Sequence, residues 1–139
     1  MSLYVLDTDT LQLFQDENPT VVSHVGTVGP GNLATSVVTV EEQLSGWYTQ
    51  LRQAKRTERL AWAYRRLAAT VRFLARILIV DFDERAIHRC EQLKKLKLKV
   101  RKMDLRIAAT VLEHGAVLVT RNVRDFRQVP GLRIEDWSK

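Results

Sequence analysis

The chain holds one cysteine, Cys90, so no intramolecular disulfide can form. A lone thiol fits a reducing compartment, and the fold must rest on packing rather than cross-links. Glycine and proline are scarce, six and three in 139 residues, against a hydrophobic content of 45%. That balance excludes a low-complexity or linker-like chain and predicts one well-folded globular domain over residues 1–139. No apolar run approaches the roughly 18 residues needed to span a bilayer. No basic segment followed by an apolar one opens the chain, so a secretion signal is not expected. A cytoplasmic protein with no membrane partner is the expectation.

Acid is missing where base is dense. Arg52, Lys55, Arg56, Arg59, Arg65, Arg66, Arg72 and Arg76 share their stretch with one acid, Glu58. Lys94, Lys95, Lys97, Lys99, Arg101 and Lys102 have none among them. The net charge is +6. Such clusters favour a polyanionic partner, RNA or DNA first and an acidic protein second, and salt-sensitive binding. Taken singly, each cluster is equally well a solvated helix face.

Strand-like and helix-like runs alternate. Leu3–Leu6 reads as a short buried strand, with Leu11, Leu13 and Phe14 in a helix after it. "NPTVVSHVG" predicts a helix stopped by Gly26, and "TVGPGN" a loop. Leu33–Val38 is strand-like. From Thr39 the period becomes helical: Val40, Leu44, Trp47 and Leu51 form one stripe, and Leu60, Tyr64, Leu67, Val71 and Leu74 repeat it to a helix end near Arg76. Ile77–Val80 reads as a buried strand and Glu84–Leu96 as a helix. "DLRIAATVLEHG" is a helix closed by Gly115, "AVLVT" a strand and "LRIEDW" a last short strand. This alternation means βαβ units and a mostly parallel sheet covered on both faces. Ligands of such sheets sit beyond the carboxyl ends of the strands.

Three acids, Asp7, Glu42 and Asp125, follow strands toward that edge. A fourth, Asp104, opens the helix that leads back into the strand before Asp125, a pattern that does not by itself place it there. Each has a structural reading beside the chemical one. Asp7 follows the first strand and suits a helix N-cap. Glu42 stands three residues after Thr39 in "TVEE", a capping box. Asp104 suits the cap of "LRIAAT", and Asp125 in "TRNVRDF" suits a turn. Gathered at one site, such carboxylates would repel one another unless a cation neutralised them. Oxygen-only ligands suit Mg²⁺ or Mn²⁺, and such an ion activates water against a phosphodiester. Acids beside basic clusters thus predict a metal-dependent nuclease.

"YVLDTDTL", "TSVVTVEEQLSG", "DLRIAATVLEHGAVLVTRNVRDF" and "VPGLRIEDW" resemble, in order and spacing, the PIN-domain nucleases. The likeness is nearest to VapC-type toxins of bacterial toxin–antitoxin pairs and covers nearly the whole chain. By that resemblance Asp7, Glu42, Asp104 and Asp125 are the catalytic, metal-holding acids, with Glu41 the alternative to Glu42. Thr120 and Asn122 match polar positions near the metal, and Asp9 is secondary. The resemblance implies an α/β/α sandwich around a mostly parallel sheet of about five strands, Mg²⁺- or Mn²⁺-dependent RNA cleavage, a homodimer and a small antitoxin partner. Arg121, beside that site, is a candidate to hold a phosphate.

Two other readings use the same residues. Asp7, Asp9 and Thr10 fit the Asp-x-Asp-x-Thr opening of haloacid-dehalogenase-type phosphatases, with Asp81 and Asp83 as the only later acidic pair. Alternatively the acids are caps and the chain binds RNA without cutting it. His24 and His114 read as surface residues, and Trp47, which could stack on a base, as core.

Overall fold

The structure, a computed structural model, describes residues 2–139. The elements run β1 (Tyr4–Leu6), α1 (Thr8–Gln15), α2 (Pro19–Val28), a 3₁₀ turn (Pro30–Asn32), β2 (Leu33–Ser36), α3 (Val37–Gln53), α4 (Thr57–Leu74), β3 (Leu78–Val80), α5 (Glu84–Lys94), α6 (Lys102–Glu113), β4 (Val117–Val119), α7 (Val123–Phe126) and β5 (Arg133–Glu135). The five strands form one sheet in the order β3-β2-β1-β4-β5, and every pairing is parallel. The expected parallel sheet of about five strands is therefore present. β1 lies between β2 and β4, where the order of connection reverses.

Period-two alternation divides the core in two. Val5, Ala34 and Leu118 are cross-strand partners and belong to a cluster with Cys90 and Leu93 of α5 and Ile107, Ala108 and Val111 of α6. Leu6 and Val119, the next pair along, belong to the opposite cluster with Leu11 of α1, Leu74 of α4 and Trp137. Helices thus cover both faces, giving an α/β/α sandwich. Val5, Leu6 and Leu118 are fully buried, and each such side chain contributes about 1.5–3 kcal/mol relative to exposure.

Several local expectations shift. Gly26 does not stop α2; the helix continues to Val28 and ends at Gly29, whose φ is +83°. The strand expected over Leu33–Val38 ends at Ser36, which caps α3 by accepting a hydrogen bond from Thr39 N, so Thr39 is not the cap. The helical pattern after Thr39 is two helices, with a break between Gln53 and Thr57. Of the expected stripe on α4, Leu74 is buried, but Leu60, Tyr64 and Val71 face outward and the helix buries Ala63 and Thr70 in their place. β3 is an edge strand with Leu78 and Ile79 exposed, not a buried one. α6 begins at Lys102, so Asp104 lies in its first turn rather than at its cap. Its end is as expected. Gly115 adopts φ +57°, Gly115 N bonds to Leu112 O, and Ala116 N to Val111 O. That pair of bonds is a Schellman closure.

Candidate active site at the carboxyl edge of the sheet

All strands point the same way, so everything that follows them reaches one edge. Asp7 follows β1, Thr120 and Asn122 follow β4, and α3 carries Glu42 away from β2. The amino end of α6 brings Asp104 to the same place. Asp7, Glu42 and Asp104 line one cleft of about 560 Å³, together with Thr8, Asp9, Arg101 and Asn122.

Asp7 is both cap and site residue. Its Oδ1 accepts from Thr10 N at 2.9 Å, capping α1. Its Oδ2 accepts from the Thr120 hydroxyl at 2.6 Å. Thr120 is fully buried, and its oxygen accepts in turn from Asn122 N at 2.9 Å. The Asp7 carboxyl is therefore fixed from two directions. Burial raises its pKa above the ordinary carboxylate value, and the Asp9 charge pushes the same way against the Thr120 and Thr10 bonds. A buried acid held in that condition is stabilised by a nearby cation.

Glu42 faces the cleft and Glu41 faces solvent. Glu42 lies in the second turn of α3, and its Oε1 accepts from the Thr8 hydroxyl at 2.7 Å; this bond replaces the expected capping box. Asp104 is buried, and both its oxygens accept from Arg101, Oδ2 from Nε and Oδ1 from Nη2, each at 3.1 Å. Arg101 Nη2 also stands 3.8 Å from Glu42 Oε2. Asp125 is set back from the cleft wall, where its Oδ2 accepts from Asn122 Nδ2 at 2.9 Å. Arg121 is bound to Asp9, Nε to Oδ2 at 2.7 Å, rather than free to meet a phosphate.

The residues fit a hard cation in kind, since the cleft offers four carboxylates, Asp7, Asp9, Glu42 and Asp104, and no nitrogen or sulfur acceptor. They do not form a closed ligand set as they stand. Among the described residues, no group of three His, Cys, Asp or Glu side chains converges tightly enough to hold an ion. Thr120, Thr8 and Arg101 each bond to oxygens of Asp7, Glu42 and Asp104 respectively.

The phosphatase arrangement is not built. Asp83 caps α5 by accepting from Ala86 N. Asp81 and Asp83 follow β3, two strands from β1, roughly 10 Å along the sheet. His24 stacks on Trp137, and the His114 ring pairs with Thr110 O; neither lines the cleft. Trp47 is half-buried rather than core, edge-on to Trp62 at 5.4 Å between centroids. Two functional neighbours escaped sequence reasoning, Thr8 and Arg101. The spacing of Arg101 and Asp104, i and i+3 across a helix start, was the available signal for the second.

The profile of the family described as "PIN domain" matches residues 4–132. The chain belongs to the PIN-domain family. The tRNA(fMet)-specific endonuclease VapC of Salmonella typhimurium is 29% identical over 141 residues, covering 99% of both chains. Ribonuclease VapC2 of Haemophilus influenzae is 29% identical over 142 residues, again covering 99% of each. Among solved structures, DNA-bound VapBC from Salmonella typhimurium superposes with a TM-score of 0.79 at 28% identity, covering 99% of both chains. The likeness spans nearly the whole chain.

Proposed function

We propose that this chain is a VapC-type endoribonuclease, the toxin of a toxin–antitoxin pair, that hydrolyses RNA phosphodiester bonds with a divalent cation. The observation that carries the reading is the meeting of Asp7, Glu42 and Asp104, distant in sequence, in one cleft of a PIN fold. It is supported by relatives named as ribonucleases and endonucleases. Asp7, Glu42 and Asp104 would hold Mg²⁺ or Mn²⁺, with Asp125 as the outer acid behind Asn122. When bound, such an ion lowers the pKa of water and offsets charge on the phosphodiester.

The chain's own groups do the positioning. Thr120 holds Asp7 and, through its oxygen, sets the Asn122 backbone. Asn122 presents its amide at the cleft, where RNA can be oriented. Arg121 stays near the opening, tied to Asp9. The basic stretch of α4 and the run before α6 draw in the polyanion. A small antitoxin protein and a second copy of the chain are the proposed protein partners, in the cytoplasm.

The test is cleavage of an RNA oligonucleotide with Mg²⁺ or Mn²⁺, with EDTA added, and by the Asp7→Asn and Asp104→Asn variants. Cutting that needs the ion and is lost by at least about a hundredfold in either variant, with unchanged circular dichroism, is expected. Cleavage that persists in EDTA or in folded Asp7→Asn would sink the reading. RNA affinity without any cutting by the wild type would favour a binding protein instead.

A further inference from the structure

We propose that Arg101 is a built-in rival of the divalent cation. Its guanidinium neutralises Asp104 and Glu42 while no ion is bound, and turns to the phosphodiester once an ion takes those oxygens. This inference rests on the nuclease reading and adds to it a residue that couples ion entry to substrate binding.

The geometry is specific. Arg101 reaches both oxygens of Asp104, through Nε and Nη2 at 3.1 Å each, in the planar fork that distinguishes arginine from lysine. The same Nη2 leans toward Glu42 at 3.8 Å. One cationic group therefore spans two of the four acids lining the cleft, acids supplied by α3 and α6. The carboxylates lie deep, with side chains 8% and 17% exposed for Asp104 and Glu42, whereas Arg101 stands at the mouth at 69%. A group so exposed is free to swing out without unpacking anything.

The fold itself does not require this pairing. Arg101 occupies the N-cap position of α6 but makes no side-chain capping bond. Asp104, in the first turn, is favoured by the free amides of the helix start whether or not Arg101 is present. An ion pair with one partner so open to water adds little stability. Its effect falls instead on what else can occupy the carboxylates. A guanidinium and a divalent ion on the same two oxygens repel one another, and both cannot hold the fork. Displaced, the guanidinium remains on the cleft wall, where paired N–H groups suit the non-bridging oxygens of a phosphodiester.

The experiment measures Mn²⁺ binding to the RNA-free protein, from the electron paramagnetic resonance signal of the free ion, for wild type, Arg101→Ala and Arg101→Lys. Arg101→Ala is expected to bind Mn²⁺ about tenfold tighter or more, because a like charge 3.1 Å from the Asp104 oxygens has been removed. Arg101→Lys, which keeps the charge and loses the fork, is expected to fall between. At saturating Mn²⁺, KM for an RNA oligonucleotide is expected to rise several-fold in Arg101→Ala. Thermal unfolding within a few degrees of wild type shows that folding is not at issue. Unchanged or weaker Mn²⁺ binding in Arg101→Ala, or an unchanged KM, overturns the assignment while leaving the nuclease reading standing. If neither wild type nor Arg101→Ala binds Mn²⁺, both fall.

Discussion

Replacing Thr120 by Val isolates the support of Asp7 from its charge. Valine matches threonine in shape, so no cavity opens in a residue with no exposed surface. Two hydrogen bonds disappear: the 2.6 Å bond to Asp7 Oδ2 and the 2.9 Å bond from Asn122 N. A bond to a charged group is worth about 1.5–3 kcal/mol and a neutral one about 1, giving a loss of roughly 2–4 kcal/mol. For a chain of this size that lowers Tm by roughly 6–12 °C. Asp7 keeps its bond to Thr10 N but is free to rotate away from the cleft, so RNA cleavage should fall by about tenfold or more. Circular dichroism melts and an oligonucleotide assay read the two effects. Thr120→Ser, which keeps the hydroxyl, should recover most of the activity. A Thr120→Val protein that melts within about 2 °C of wild type and cuts RNA at the wild-type rate would refute the reasoning.

Two further outcomes follow from single residues. Asp7 has a folded pKa above its unfolded value because of burial, so its charge is a cost to the native state at neutral pH. The cost shrinks as pH falls through the folded value toward the unfolded one, where both states bind the proton. In protein stripped of divalent ions, the Tm of wild type relative to Asp7→Asn should therefore rise as pH falls from neutral through the folded value; a relative Tm that falls instead would count against it. Gly115 closes α6 at φ +57° with no atom within 4 Å of where a Cβ would stand. Gly115→Ala should thus cost only backbone strain, roughly 1 kcal/mol, seen as a Tm lowered by a few degrees in a thermal melt. An unchanged Tm would mean that the turn relaxes without penalty.

The sheet and most of the cleft were legible because local chemistry and tertiary position agree at Asp7, Asp104 and Gly115. Asp7 reads as a cap after a strand, and in a parallel sheet that is also where a site forms. Burial was less legible. Leu78 and Ile79 look like a central strand, yet β3 has a neighbour on one side only, and residue type does not report strand order. The start of α3 was misread because Ser36 and Thr39 are both good caps, and the choice between them depends on where β2 releases the chain. Glu42 lines the cleft, but its restraint, a hydroxyl 34 residues away, has no local signature. Arg101 was counted with its basic neighbours because charge density hides an individual partner.

The placement of β1 between β2 and β4 bears on how the protein is made. A ribosome delivers residues 33–36 well before residues 117–119, so through that interval the middle strand has one side unpaired. Thr120 and Asn122 emerge later still. A nascent chain that has not yet reached residue 120 therefore carries Asp7, Glu42 and even Asp104 without the hydroxyl that aims the first of them, and the cleft is complete only once residues 120–122 have joined it.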